Sequence, residues 1–245
     1  MFAVTPPAPT AASPISATAA KPSVPATDAP ASMPSPAAPT DATHGLPFPS
    51  MPLPGPQSPG VRTLPAPPAR GSAVEAAELA AIRVLQKART PERDAWAKHL
   101  AKSDGMPEFR ALIDTYEQRA GKLRGWGATA LMYAAIGATA ATSTHFKHKF
   151  DRKRPFQVDD RIEAVVKKPH DSSYPSGHTS AAFAAARVIS TIDPSQAVEA
   201  YRIATEVGLS RIYGGVHFPS DVIAGALLGT GVADVVLRVA HQHAS

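Results

Sequence analysis

The stretch WGATALMYAAIGATAATSTH, residues 126–145, decides between two kinds of fold. It carries no Asp, Glu, Lys or Arg, and about 20 apolar residues are enough to cross a bilayer. Its composition argues against a crossing. Ala, Gly and Thr dominate, and large apolar side chains are few. Small residues at this density favour close helix–helix packing in a soluble core. A second apolar stretch, residues 222–240, contains Asp234 and Arg238. Charges at the centre of a span are expensive. Both stretches are read as buried core helices, so membrane contact is not favoured.

Working outward, helix signals continue in both directions. Ser72 and Glu75 have the spacing of a capping box, with an Ala/Leu/Glu-rich run to about Lys87. Thr90-Pro91-Glu92 supplies an N-cap followed by proline at the first helical position. Pro107-Glu108 starts another helix, which ends near Gly121. Downstream, helices are expected over 177–192, 195–211 and 218–241. Residues 150–174 form a long loop rich in charge and proline, and loops of that length are usually functional or disordered. No strand-like alternation and no internal repeat is visible. The fold class expected is all-α, a helical bundle over residues 71–245.

Residues 1–70 are different. They hold 19 of the 26 prolines and five charged residues (Lys21, Asp28, Asp41, Arg62 and Arg70). Such a segment buries too little apolar surface to offset its ordering entropy, and is read as a disordered Pro/Ala-rich tail. Residues 1–20 lack the basic start and compact apolar run of a standard signal peptide. With no cysteine in 245 residues, disulfides, thiolate-bound zinc and thiol catalysis are excluded. The net charge of +5 is spread among acids in the domain. It calls for an anionic small substrate at least as well as for nucleic acid, and no nucleic-acid partner is expected.

Three short blocks carry chemistry. Lys147 stands seven residues before Arg154-Pro155; one cation is a point charge and the other can grip phosphate oxygens in pairs. Ser176-Gly177-His178 lies where a loop turns into a helix, and helix N-termini bind anions. Arg211 precedes His217 and Asp221, which are four apart and meet on one helical face if the helix begins near His217. A carboxylate on one imidazole nitrogen fixes the tautomer and leaves the other nitrogen free to attack. Taken singly, the blocks read first as a solvated basic face, an ordinary helix cap with a surface His, and a structural His–Asp pair. Together and in this order they do not. His145, His148 and His170 lie nearby, but their spacing closes no metal ligand set.

The pattern K-x6-RP, PSGH and SR-x5-H-x3-D resembles the signature of the type 2 phosphatidic acid phosphatase / vanadium haloperoxidase superfamily. Residues 173–179, SYPSGHT, are similar to the signature of bacterial class A non-specific acid phosphatases. Ser172 departs from it, where those enzymes have Gly. The resemblance implies a helical bundle of the acid phosphatase / haloperoxidase type and a metal-independent phosphatase of small phosphate esters. It implies that Lys147, Arg154, Arg211, Ser176 and the Gly177 amide cradle the phosphoryl group. His217 attacks phosphorus to give a phosphohistidine, Asp221 supports its ring, and His178 protonates the leaving oxygen and later activates water. It implies no cofactor, with vanadate as a phosphate mimic. It is compatible with a homodimer and favours a bacterial periplasmic or secreted location. The alternatives it leaves are a membrane-associated lipid phosphate or pyrophosphate phosphatase, a vanadate-dependent haloperoxidase, and a non-catalytic domain serving its tail.

Overall fold

The computed structural model describes residues 64–244, and among these it contains helices and no strand. The order is α1 (Ala73–Lys87), α2 (Pro91–Ser103), α3 (Met106–Ala120), α4 (Lys122–Phe150), the short α5 (Pro155–Val158), α6 (Gly177–Ile192), a 3₁₀ turn (Pro194–Gln196), α7 (Ala197–Tyr213) and α8 (Pro219–Ala244). The expected caps are present. Ser72 Oγ accepts from the Glu75 amide, and Thr90 Oγ1 from the Arg93 amide. Glu75 bonds the Gly71 amide rather than that of Ser72, so its capping box is displaced by one residue. Most of the expected tail lies outside the described residues. Its last few residues touch the domain: Leu64 is buried against Phe146 and Tyr174, whose hydroxyl donates to the Pro65 carbonyl.

Helix α6 sits at the centre, packed by α3, α4, α7 and α8. The stretch that decides the fold lies within α4. It buries Ala128, Met132, Ala135, Thr139 and Ser143, a stripe at three- and four-residue spacing, and Phe146 continues the stripe. Ala182, Ala184, Ala185 and Ala186 on α6 are buried as well. Small side chains therefore line the central contacts, as close approach requires.

The approach is tightest between α6 and α8. A Cβ on Gly229 would lie 2.1 Å from the Ser180 carbonyl oxygen, and one on Gly225 would lie 2.7 Å from that of Ser176. Both neighbours are backbone and cannot rotate away. We therefore expect Gly229→Ala to destabilise the domain despite alanine's better helix propensity, by about 2 kcal/mol or more. An unchanged denaturation midpoint for this variant would refute the seam.

Asp234 and Arg238, the charges that argue against α8 as a span, are turned inward to different degrees. Asp234 is buried and accepts from Arg187 Nε of α6 at 2.6 Å. Among the described residues α8 is the one helix long and apolar enough to cross a membrane, with half of its most apolar window buried.

Candidate active site

The seam brings two helix starts together. Ser176 is the N-cap of α6: its hydroxyl meets the Thr179 amide at 3.4 Å and the Thr179 hydroxyl at 2.8 Å. The Ser176 amide donates to the Asp221 carbonyl at 3.0 Å, which ties this cap to the first turn of α8. Gly177 opens α6 with its α-carbon facing the Lys147 side chain, where a Cβ would be 3.9 Å from Lys147 Cε.

His217 precedes α8 by two residues and is 1% exposed. Its Nε2 is 3.1 Å from Arg154 Nη1. A guanidinium has no lone pair, so Nε2 must accept, and the proton of the neutral ring belongs on Nδ1. The Nε2 lone pair therefore faces the cations. Nδ1 lies 3.5 Å from Asp221 Oδ2, an ion-pair distance but not a hydrogen bond. Asp221 Oδ2 is already occupied by the Phe218 amide at 2.8 Å and by the Ser173 hydroxyl. The His–Asp contact of the sequence reading is thus near but longer than expected, because the carboxylate also caps α8.

The three expected cations converge. Lys147, in the last turn of α4, reaches Asp171 Oδ2 and the Ser172 carbonyl, each at 2.7 Å. Arg154 donates to Asp171 Oδ1 at 2.8 Å and to the Val216 carbonyl at 2.7 Å. Arg211, in the last turn of α7, is 2% exposed, and its Nε and Nη1 find no hydrogen-bond partner among the described residues. Burial pushes its pKa down to about 10, and Arg154 adds to the effect. Burial likewise lowers Lys147 and Arg154, against the pull of Asp171. His178 is pushed down to about 3 by burial and then by Arg211, Lys147 and Arg154. His217 lies well below the ordinary imidazole range for the same reasons. Positive charge is crowded here, and a bound anion would relieve it.

The sequence reading missed the support beneath Asp221. Arg152 is buried, with Nη1 2.7 Å from both Asp221 Oδ1 and Ser220 Oγ, and Nη2 3.0 Å from Glu78 Oε2. Its guanidinium stacks 3.8 Å from the Phe218 ring centre. Glu78 in turn accepts from the Ser220 amide at 2.6 Å, at the positive end of the α8 dipole. Burial raises Asp221 to about 6, while Arg152, Ser173 and the Phe218 amide pull it back. In the sequence Arg152 lies among Lys149 and Lys153, which makes it look like part of a solvated basic face. Period two was the available signal: between α4 and α5, residues 151 and 153 point out and residues 152 and 154 point in. Asp171, which bridges Lys147 and Arg154, was also missed. His145, His148 and His170 are exposed and do not join the cluster. No group of three or more His, Asp or Glu able to hold a metal occurs among the described residues.

A family model described as the PAP2 superfamily matches residues 128–244, the segment that holds all eight expected site residues. These residues form a PAP2 superfamily domain. The chain is similar to the non-specific acid phosphatase of Salmonella typhi, 37% identical over 100 residues that cover 38% of this chain and 39% of that one. It is also similar to the undecaprenyl-diphosphatase of Sulfolobus acidocaldarius, 34% identical over 94 residues covering 38% and 46%. The chain thus spans under half the length of either curated relative. The crystal structure of Aquifex aeolicus LpxE superposes with a TM-score of 0.54 at 28% identity, over 65% of this chain and 94% of that one. The PAP2 domain therefore has relatives named as a non-specific acid phosphatase and as an undecaprenyl-diphosphatase.

Proposed function

We propose that the PAP2 domain hydrolyses phosphate monoesters without a metal, through a phosphohistidine on His217. The observation that carries this is the buried His217 Nε2 lone pair facing Arg154, within a cage completed by Lys147 and Arg211. A phosphoryl-transfer transition state needs in-line positioning and neutralisation of its equatorial oxygens, and three fixed cations supply both. As Nε2 attacks, the ring becomes cationic, and Asp221 beneath Nδ1 stabilises it. His178 gives its proton to the departing ester oxygen, then takes one from the water that cleaves the P–N bond. Ser176 and the Gly177 amide serve the cradle from the start of α6. The test is a panel of phosphate esters with wild type and a His217→Ala variant, each with and without EDTA. Turnover by the wild type alone, unaffected by EDTA, is expected; loss of activity in EDTA would overturn the metal-free reading.

The ionisation states predict an acidic optimum. Asp221 must be charged and His178 protonated, yet burial holds Asp221 up at about 6 and His178 down at about 3. The productive form is therefore a minority, greatest between those values. A bound phosphate dianion offsets Arg211, Lys147 and Arg154 and raises His178. Once His178 is raised past Asp221 it sets the basic limb and Asp221 the acidic one, so the basic limb of kcat, which reports the complex, should lie at higher pH than that of kcat/KM, which reports the free enzyme. Coincident limbs, or an optimum above about pH 8, would remove His178 as the acid.

A second reading, a phosphatase of lipid esters, has one observation in its favour. Trp126 and Tyr133 on α4, and Ile223 and Leu227 on α8, are large apolar side chains left exposed on two helices in mutual contact. Sedimentation with vesicles, together with turnover of phosphatidic acid in preference to soluble esters, would favour it.

A further inference from the structure

Asp104 is an acidic side chain beside the cage that no step above uses. It ends α2 in the left-handed conformation, φ 54°, followed by Gly105 at φ 71°. The turn is pinned to α7: a Cβ on Gly105 would lie 2.8 Å from Ile203 Cγ2 and 3.2 Å from Val207 Cγ2. Residues 203, 207 and 211 share one face of α7, so the turn stands next to Arg211. Its carboxylate reaches the site. Asp104 Oδ1 is 3.4 Å from His178 Nε2 and has no hydrogen-bond partner among the described residues. Burial raises the carboxyl's pKa, and Arg211 draws it back.

We propose that Asp104 is a specificity-determining residue that selects neutral leaving groups and rejects anionic ones, an inference that rests on the phosphatase reading. During transfer the P–N bond to His217 forms as the P–O bond to the leaving group breaks. The electron pair of that bond stays on the departing oxygen, which takes the proton of His178. The leaving group therefore departs past the His178 ring, whose Nε2 stands 3.4 Å from Asp104 Oδ1. An alcohol leaves that site neutral, and a hydroxyl on it can donate to Asp104 Oδ1. The leaving group of a diphosphate is itself a phosphate and still carries negative charge there. Two like charges a few ångströms apart in a partly desolvated site disfavour that transition state on the order of 10- to 100-fold.

The test compares p-nitrophenyl phosphate with inorganic pyrophosphate. The two leaving groups are of similar basicity, so a change in the His178 proton affects them alike; with that proton nitrophenol leaves neutral, while phosphate still carries negative charge. Assays run near neutral pH, where a carboxylate is ionised. Wild type should prefer p-nitrophenyl phosphate. Asp104→Asn keeps the shape and tolerates the left-handed backbone. It should raise the pyrophosphate to p-nitrophenyl phosphate ratio of kcat/KM by about 10- to 100-fold, and Asp104→Ser should do the same. An unchanged ratio in a folded variant overturns the proposal. So does a wild type that turns over pyrophosphate as readily as the monoester, a result that needs no variant. If wild type and His217→Ala are equally inactive on every ester, the phosphatase reading has failed and this inference goes with it.

Discussion

His217→Ala is expected to lower kcat by about 10⁴- to 10⁶-fold, the loss seen when a covalent nucleophile is removed from an otherwise intact site. The side chain is 1% exposed and accepts from Arg154, so its removal opens a small cavity and frees one guanidinium N–H. Arg154 keeps its bonds to Asp171 and to the Val216 carbonyl, so the cage should persist. Phosphate binding should then survive where turnover does not. His217→Gln fills more of the space and also lacks a competent nucleophile. Both variants should therefore bind inorganic phosphate by calorimetry and yet fail in the ester assay. A folded His217→Ala variant that retains more than about a hundredth of wild-type kcat would sink the phosphohistidine mechanism.

Arg152→Met should have the next largest effect, through a residue that touches no substrate in this scheme. The side chain is buried between two carboxylates, Glu78 and Asp221. Replacing it leaves both without their guanidinium, and breaking a buried pair in this way costs about 3–5 kcal/mol. Asp221 is already raised to about 6 by burial, and without Arg152 it should rise further. A neutral Asp221 cannot support a cationic His217, so kcat should fall by up to about 10⁴-fold and the acidic limb of its pH profile should move upward. Arg152→Lys keeps the charge but not the fork that meets Ser220, Glu78 and Asp221 at once. It should recover part of the stability and less of the rate. A purely structural role would lower the melting temperature and leave the pH profile in place, which separates the two accounts.

Much of this molecule is legible in its sequence because its signals are local. The caps at Ser72 and Thr90, the proline at position 91 and the helix start at Gly177 follow from neighbouring residues alone. The eight expected site residues stand out in the sequence only because the three blocks occur together and in order, and the fold brings those blocks to one place. What escaped was partnership across distance. Nothing near Glu78 hints that it meets Arg152 74 residues later. Asp104 gives no sign in a helix-ending turn that it will stand by His178. Asp221 was expected on His217, but its oxygens are shared with Ser173, Arg152 and the Phe218 amide, and only the folded chain shows how a carboxylate divides itself.

The glycine seam between α6 and α8 also divides the site by how freely it can change. His217, Asp221, Ser176 and His178 stand on two helix starts held backbone to backbone, where even one added methyl group collides. Their spacing is close to immutable. Asp104 sits on a connecting segment at the rim, beyond that contact. A lineage could exchange that rim carboxylate without disturbing the phosphoryl chemistry, so new leaving groups should be reached by drift at the α2–α3 turn. The seam holds the reaction constant while its clientele changes.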